Sequence, residues 1–450
     1  MDIRPERLGS PAFRAAHGVR AAYVIGGMVK GISSVEMVRA AGNAGYLAFF
    51  GAGGLRPAAV NEAVAQLSAD LGPARPWGVN FLHNPLIPAQ EDALAELLLA
   101  SGVRCIEASA FVRITPALVR YRLSGLEFDG QGRPLPRRRI IAKVSHPDMA
   151  RRFMEPPPAD LVADLRARGL LTAREADAAG EVPLADDVCA EADSGGHTDR
   201  RPSFALIPAF LRLRDETARA QPRLPPVRIG AAGGIGAPEA VAAAFVLGAD
   251  FVLTGSINQC TPEAGTSEAV KDMLAAAQPQ DFDMAPAGDL FEIGAKVQVL
   301  KRGSLFAARA NRLYELYRAN AALDDIPAPL LADLEAKTFG RRLDDVWRET
   351  EAYYRQAAPE ELADIGPKKR MAMIFRWYFI HSQRLAQQGD TAQRVNFQIH
   401  CGPAMAACNR WLADTPWADW RQRHVDRLAD RLLEGAAQVL AQRYAGLNAD

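Results

Sequence analysis

Residues 227–257 read VRIGAAGGIGAPEAVAAAFVLGADFVLTGSI. Two apolar, β-rich runs, VRIG and FVLT, each give way at their ends to small residues, GG in the first and TGS in the second. Between them the chain turns through the glycine pair and enters a helix whose first turn holds Pro238 and Glu239, where proline's fixed φ and missing N–H cost nothing. A strand, a helix and a second strand, with both strands apolar along their length, form one unit of a parallel sheet covered on both faces.

The same unit recurs upstream. The strand candidates are AAYVIGG (21–27), YLAFFGAGG (46–54), WGVNFLH (77–83), CIEASAF (105–111), RIIAKVS (139–145) and VCAEADSGG (188–196), ahead of VRIGAAGGIG (227–236) and DFVLTGSI (250–257). Helical patterns such as SVEMVRAAGNAG and EDALAELLLASG separate them. Eight strands in this α/β rhythm predict a closed (β/α)8 TIM barrel, with an open doubly wound sheet as the alternative. Two regions break the rhythm. Residues 147–187 swell into a Pro-rich, then helical, insertion after the fifth strand. From Met284 onward strand patterns give way to long helical stretches. The expected division is therefore a barrel over 1–283 and an all-α elaboration over 284–450, packed on it because no Gly/Ser linker intervenes.

The 450 residues hold 53 basic and 53 acidic side chains. That balance provides no net field for nucleic acid or an anionic membrane surface, so a charged ligand must be gripped locally. Five cysteines without CxxC spacing fit neither a disulfide framework nor a zinc site and suit a reducing compartment. No leader pattern precedes the first strand and no apolar run is long enough for a bilayer, so the expected location is the cytoplasm.

Barrel chemistry lies at the carboxyl ends of the strands. In order those ends are Gly26-Gly27-Met28, the glycines of 51–54, Asn80, Glu107-Ala108-Ser109, Lys143, Asp193 to His197 with Gly195 and Gly196, Gly233-Gly234, and Thr254-Gly255-Ser256. Half are glycine clusters, which let backbone approach a flat or anionic ligand. Main-chain N–H groups at the last two turns form an anion site that needs no lysine, and barrels commonly hold phosphate there. Tight turns without a ligand are the alternative use of these glycines. No GxxxxGK[ST] loop is present, and GAGGLRP lacks the third glycine of a dinucleotide fingerprint. A phosphate in the mouth, without a metal cluster or an activated serine, points to an organic cofactor with its own chemistry. FMN meets the requirement, having one phosphate, a polar ribityl chain and a flat ring. His197, just beyond a small-residue turn, is the expected catalytic group, with His83 the next candidate.

EADSGGHTDRRP, GAAGGIGAPEA, LTGSINQ, VQVLKRGSLF, NRLYELY, MIFRWYF and NFQIHCGPAM resemble the PfaD family, the trans-acting enoyl reductases of polyunsaturated-fatty-acid and trans-acyltransferase polyketide synthases. The likeness runs from Ala21 to about Trp411 and includes the insertion and the helical tail. The wider superfamily, which includes FMN-dependent enoyl reductases and nitronate monooxygenases, often carries EAGGH before its catalytic histidine. Here Asp193-Ser194-Gly195-Gly196-His197 takes that place, keeping both glycines and the histidine but shortening the acid by one methylene.

The resemblance implies that His197 is catalytic, that Gly233, Gly234, Gly255 and Ser256 bind the FMN phosphate, and that Asn80 contacts the flavin. Gly26, Gly27, Met28, Thr254, Asp193, Gly195 and Gly196 join the cofactor set. Glu107 and Lys143 are assigned by position alone, with a buried structural ion pair as the alternative. The implied reaction takes a hydride from NADPH or NADH through FMN to an enoyl thioester on an acyl carrier protein. An acyltransferase or other synthase components are further expected partners. A nitronate monooxygenase and a non-catalytic docking subunit are the competing functions. An acidic carrier protein calls for basic residues near the mouth, and 137–139, 368–370 and Lys301-Arg302 are the candidate runs, with solvated faces or turns as the alternative.

Overall fold

The structure, a computed structural model, describes residues 3–85, 87–196 and 198–447. All eight expected strand runs form strands: β1 (Tyr23–Ile25), β2 (Leu47–Phe50), β3 (Trp77–Leu82), β4 (Cys105–Ser109), β5 (Arg139–Val144), β6 (Asp187–Glu191), β7 (Arg228–Ala232) and β8 (Phe251–Thr254). Each pairs in parallel with the next, and β8 returns to β1 with Thr254 beside Ile25, so the sheet is a closed barrel rather than an open one.

An apolar cluster fills the barrel interior, and the carboxyl end is polar. Val24, Leu47, Phe49, Cys105, Ile141, Cys189, Phe251 and Leu253 form one buried cluster. Phe13 seals it from below. It lies on the helix Pro11–His17, which Ser10 starts by accepting from the Phe13 N–H and Gly18 ends in the left-handed conformation. Its ring stacks on Phe251 at 4.3 Å, and full burial of a phenylalanine contributes roughly 1.5–3 kcal/mol. The same helix places His17 Nε2 2.7 Å from Asp187 Oδ2, to which Arg228 Nη2 also donates at 2.9 Å.

The insertion after β5 is helical, with Pro147–Met154, Ala159–Ala167 and Ala173–Ala178 in succession. A Thr172–Glu175 capping box starts the last of these. The sequence reading missed a short antiparallel pair, Glu127–Phe128 with Pro134–Leu135, ahead of β5.

The chain divides into two compact units. The first holds Met1–Ser194, Thr198–Gly265 and Arg410–Asp450, the second Thr266–Asn409 with Gly195 and Gly196. This differs from a single break at 283. The helix Val425–Leu447 packs on the barrel helix Pro238–Val246, with Gly435 so close to Pro238 that a Cβ would come within 2.5 Å of its Cγ. The region read as wholly helical also contains an antiparallel pair, β9 (Phe282–Pro286) with β10 (Lys296–Leu300). Ala285, Val297 and Val299 from this pair enter the second unit's core beside Phe291, Phe306, Phe375 and Phe379. Around them lie the helices Phe306–Ala319, Leu343–Ala357 and Pro367–Gln388. No helix among the described residues is long and apolar enough to cross a membrane.

Candidate active site

Alternation along parallel strands sends every second residue to the same face. Asn80 pairs with Glu107 across β3 and β4, and Ser109 with Lys143 across β4 and β5. This register assembles a buried polar cluster at the carboxyl end. Glu107 is fully buried, and its Oε2 accepts from the Gly27 N–H at 2.9 Å and from Asn80 Nδ2 at 2.8 Å. Asn80 Nδ2 also reaches Ser109 Oγ at 3.0 Å. Lys143 Nζ stands 4.0 Å from Glu107 Oε1 and 3.6 Å from Glu191 Oε1, and Ser194 Oγ donates to Glu191 Oε1 at 3.2 Å.

Burial penalises the ionised form of Glu107 and pushes its carboxyl above the usual range, against the opposing pulls of Lys143, Asn80 and Gly27. Burial works against the Lys143 ammonium too, but the carboxylates of Glu107 and Glu191 outweigh it and hold its pKa above lysine's ordinary value. Two buried acceptors, Asn80 Oδ1 and Glu107 Oε1, have no hydrogen-bond partner. Buried polar atoms are seldom left this way unless a site uses them.

The turn after β1 lies directly against this cluster. A Cβ on Gly27 would meet Asn80 Cβ at 2.5 Å and Glu107 Oε2 at 2.9 Å, and one on Gly26 would meet Leu253 Cδ2 at 2.7 Å. Ser33, fully buried, shapes the turn by accepting from the Met28 N–H and donating to the Gly26 carbonyl, both at 2.9 Å.

Leu253 pairs with Ala232, so Gly233 and Thr254 come next on adjacent strands and the last two turns are neighbours. Gly233 and Gly234 have φ of +85° and +72°. A Cβ on Gly233 would run into the Ala192 carbonyl oxygen at 2.5 Å, whereas Gly234 and Gly255 face open space. Thr254 is buried, and Asn258 Nδ2 holds its carbonyl at 3.0 Å as the chain enters the 3-10 turn Ser256–Cys260. Exposed backbone without side chains suits a phosphate, and the two orphaned acceptors suit the N–H edge of a flat ring. The residues present therefore fit FMN.

His197 lies outside the described residues. Ahead of it, Asp193, Gly195 and Gly196 are half-buried, and the Asp193 N–H donates to the Arg201 carbonyl at 3.1 Å. The sequence reading missed Ser33 and Glu191, and placed Ser109 at a strand end without assigning it to the site. The two-residue step Asp187–Cys189–Glu191 marks Glu191 as inward-facing. His83, at the end of β3, is buried with its Nδ1 2.6 Å from Glu91 Oε1, an arrangement that fixes a loop. The candidate basic runs have local partners of their own. Arg139 opens β5 at the end of the barrel away from the mouth, and Lys301 and Arg302 pair with Asp283 and Asp281. Lys368 Nζ donates to the carbonyls of Tyr317 and Asn320.

Residues 320–397 match the family described as "[Acyl-carrier-protein] S-malonyltransferase, inserted helical domain". The chain is 48% identical over 444 residues to the polyketide biosynthesis protein ThaF of Burkholderia thailandensis, covering 99% of this chain and 38% of that one. It is 45% identical over 445 residues to the polyketide biosynthesis protein PksE of Bacillus subtilis, covering 99% and 58%. The chain thus spans less than two thirds of these curated relatives. The enoyl reductase domain of MlnA, from the macrolactin biosynthesis cluster of Bacillus amyloliquefaciens, superposes with a TM-score of 0.94 at 39% identity, covering 98% of this chain and 99% of that one.

Proposed function

This chain belongs to the PfaD family of enoyl reductases, and on that premise we propose that it is an FMN-dependent, NAD(P)H-using reductase of enoyl thioesters carried on an acyl carrier protein. It acts in trans, in the cytoplasm, with the other components of a polyketide or polyunsaturated-fatty-acid synthase. The observation that carries this reading is end-to-end similarity to an enoyl reductase domain, together with a barrel mouth whose residues fit the flavin.

When bound, FMN supplies the hydride chemistry, accepting a hydride from NADPH or NADH and giving it up at the substrate's β-carbon. Gly233, Gly234, Gly255 and Ser256 hold the phosphate through main-chain N–H groups. Gly26, Gly27 and Met28 give close backbone approach to the ring. Asn80 Oδ1 and Glu107 Oε1 would be the acceptors for ring N–H groups, and the Lys143 ammonium beside Glu107 would offer a donor to the ring. Asp193 would border the cofactor from its turn, which its N–H ties to the Arg201 carbonyl.

Negative charge develops on the thioester oxygen as hydride reaches the β-carbon, and the α-carbon then takes a proton. His197 donates to that oxygen or supplies that proton. The test is NADPH oxidation with a crotonyl thioester, run beside oxygen uptake with a nitroalkane. Thioester-dependent NADPH oxidation that His197→Ala cuts by roughly 10²-fold or more supports the reading. Oxygen uptake without thioester reduction overturns it in favour of nitronate oxidation.

A further inference from the structure

A cavity of about 360 Å³ opens within the second unit. Its wall comes from the helix Phe306–Ala319, the π-helical turn Leu334–Phe339 and the helix Pro367–Gln388. Arg309, Lys337, Arg341 and His381 line it, and among the described residues no carboxylate does. Among the described residues Arg309 has no carboxylate partner. It donates to Asn396 Oδ1, and Asn396 is itself fixed by Tyr378 Oη at 3.1 Å and Gln393 Oε1 at 3.0 Å. Lys337 pairs with Asp333 at 2.6 Å and Arg341 with Glu349 at 2.9 Å, outside the lining.

Trp377 organises one side, with the Arg341 guanidinium 4.9 Å from its centroid and the His381 ring stacked on it at 4.5 Å. Burial first, and then the charges of Arg341 and Arg384, lower the His381 pKa. Gly340, at φ +65° with open space where a Cβ would point, leaves backbone uncovered at the end of the π-turn. Such turns recur at functional sites.

We propose that this cavity recognises a phosphate ester carried on an organic group. A planar guanidinium not neutralised by a carboxylate, beside a lysine and a second arginine, matches phosphate oxygens. The volume exceeds what a bare ion needs and falls within the small-molecule range of roughly 300–1,000 Å³. Ala336, Phe339 and Val395 add apolar wall for the attached group. Two carriers of this chemistry exist around an enoyl reductase, the adenosine 2′-phosphate of NADPH and the phosphate of a phosphopantetheine arm. The phosphate site is inferred from its own geometry, while the choice of these two carriers rests on the proposed reaction.

The test is calorimetric titration of the full chain with adenosine 2′,5′-bisphosphate, 4′-phosphopantetheine and inorganic phosphate. One of the two organic esters is expected to bind one-to-one, at least tenfold more tightly than inorganic phosphate. Arg309→Gln with Lys337→Gln is expected to raise its Kd at least tenfold. Lys337→Gln alone, at a side chain 73% exposed, is expected to raise it severalfold with the thermal midpoint unchanged, which separates recognition from folding. Preference for the bisphosphate assigns the nucleotide, and preference for the pantetheine assigns the carrier arm. No binding by any probe, equal affinity for inorganic phosphate, or binding that neither variant weakens overturns the proposal.

Discussion

Replacing Lys143 by methionine keeps the length of the side chain and removes its charge. Its Nζ stands 3.6 Å from Glu191 Oε1 and 4.0 Å from Glu107 Oε1. At an effective dielectric of about 20, each contact carries a gross attraction of about 4 kcal/mol. Much of this is offset by the cost of burying the ammonium, and stripping one partner from a buried pair has a net cost of about 3–5 kcal/mol. The thermal midpoint of the barrel should therefore fall by roughly 5–10 °C.

The sign of the pH dependence follows from Glu107. Its folded pKa is raised above the ordinary 4.5, so its ionised form costs stability. That cost is full above the folded pKa and absent below the unfolded one. Removing Lys143 raises the folded pKa further, so the deficit of Lys143→Met should be largest at neutral pH and shrink as pH falls toward 4.5. Adding Glu107→Gln to Lys143→Met should recover at least 1 kcal/mol, since the two sites are coupled. Differential scanning calorimetry of the single and double variants between pH 5 and 8 measures both effects. A deficit constant across that range, or a double variant no more stable than Lys143→Met, would refute the electrostatic account of the cluster.

The two glycines of the β7 turn should respond unequally to alanine. Gly233→Ala combines a left-handed φ with a clash against the Ala192 carbonyl and should cost about 2 kcal/mol or more. Gly234→Ala meets no neighbour and should cost only about 1 kcal/mol of backbone strain; equal losses in urea denaturation would contradict this. At the other end of the barrel, burial raises the Asp187 pKa but His17 and Arg228 outweigh it, leaving the carboxyl below its ordinary 3.8. That stabilisation is present above the unfolded value and lost as pH falls through the folded one. Asp187→Asn should therefore cost about 3–5 kcal/mol at pH 7 and flatten the stability profile below pH 4. An unchanged acid limb in the variant would remove Asp187 from the account.

The eight barrel strands were legible because each is a short apolar run that ends in small residues, a pattern set by burial on both faces and needing no long-range information. Asn80, Glu107 and Lys143 could be found from their places at strand ends, since alternation along the strand fixes which side chains point inward. Glu191 follows the same rule but was passed over for Asp193, the acid nearer the glycine pair. The β9–β10 pair was not legible. FDMAP and KVQVL are five residues each, lie among long helical patterns, and are held by pairing to each other and by the core of the second unit. The use of the basic runs was not legible, because sequence gives the charge but not its partners. Lys368 caps carbonyls, and Arg139 begins a strand whose other end faces the mouth.

Hydrogen-bond accounting separates the two ends of the barrel without reference to any relative. At the amino end, Asp187 is fully buried and both its oxygens are engaged, Oδ1 by Arg228 and Oδ2 by His17 and Arg228. A network so completed stabilises one arrangement and offers nothing to a ligand. At the carboxyl end, Glu107 is equally buried, yet one of its oxygens and the Asn80 carbonyl oxygen accept no hydrogen bond. Leaving such an acceptor unsatisfied costs about 1–3 kcal/mol, and a fold that needed only stability would gain by apolar residues at both positions. The cost is tolerable where a ligand's N–H groups repay it on binding, and it falls at the end of the barrel where this architecture conducts chemistry.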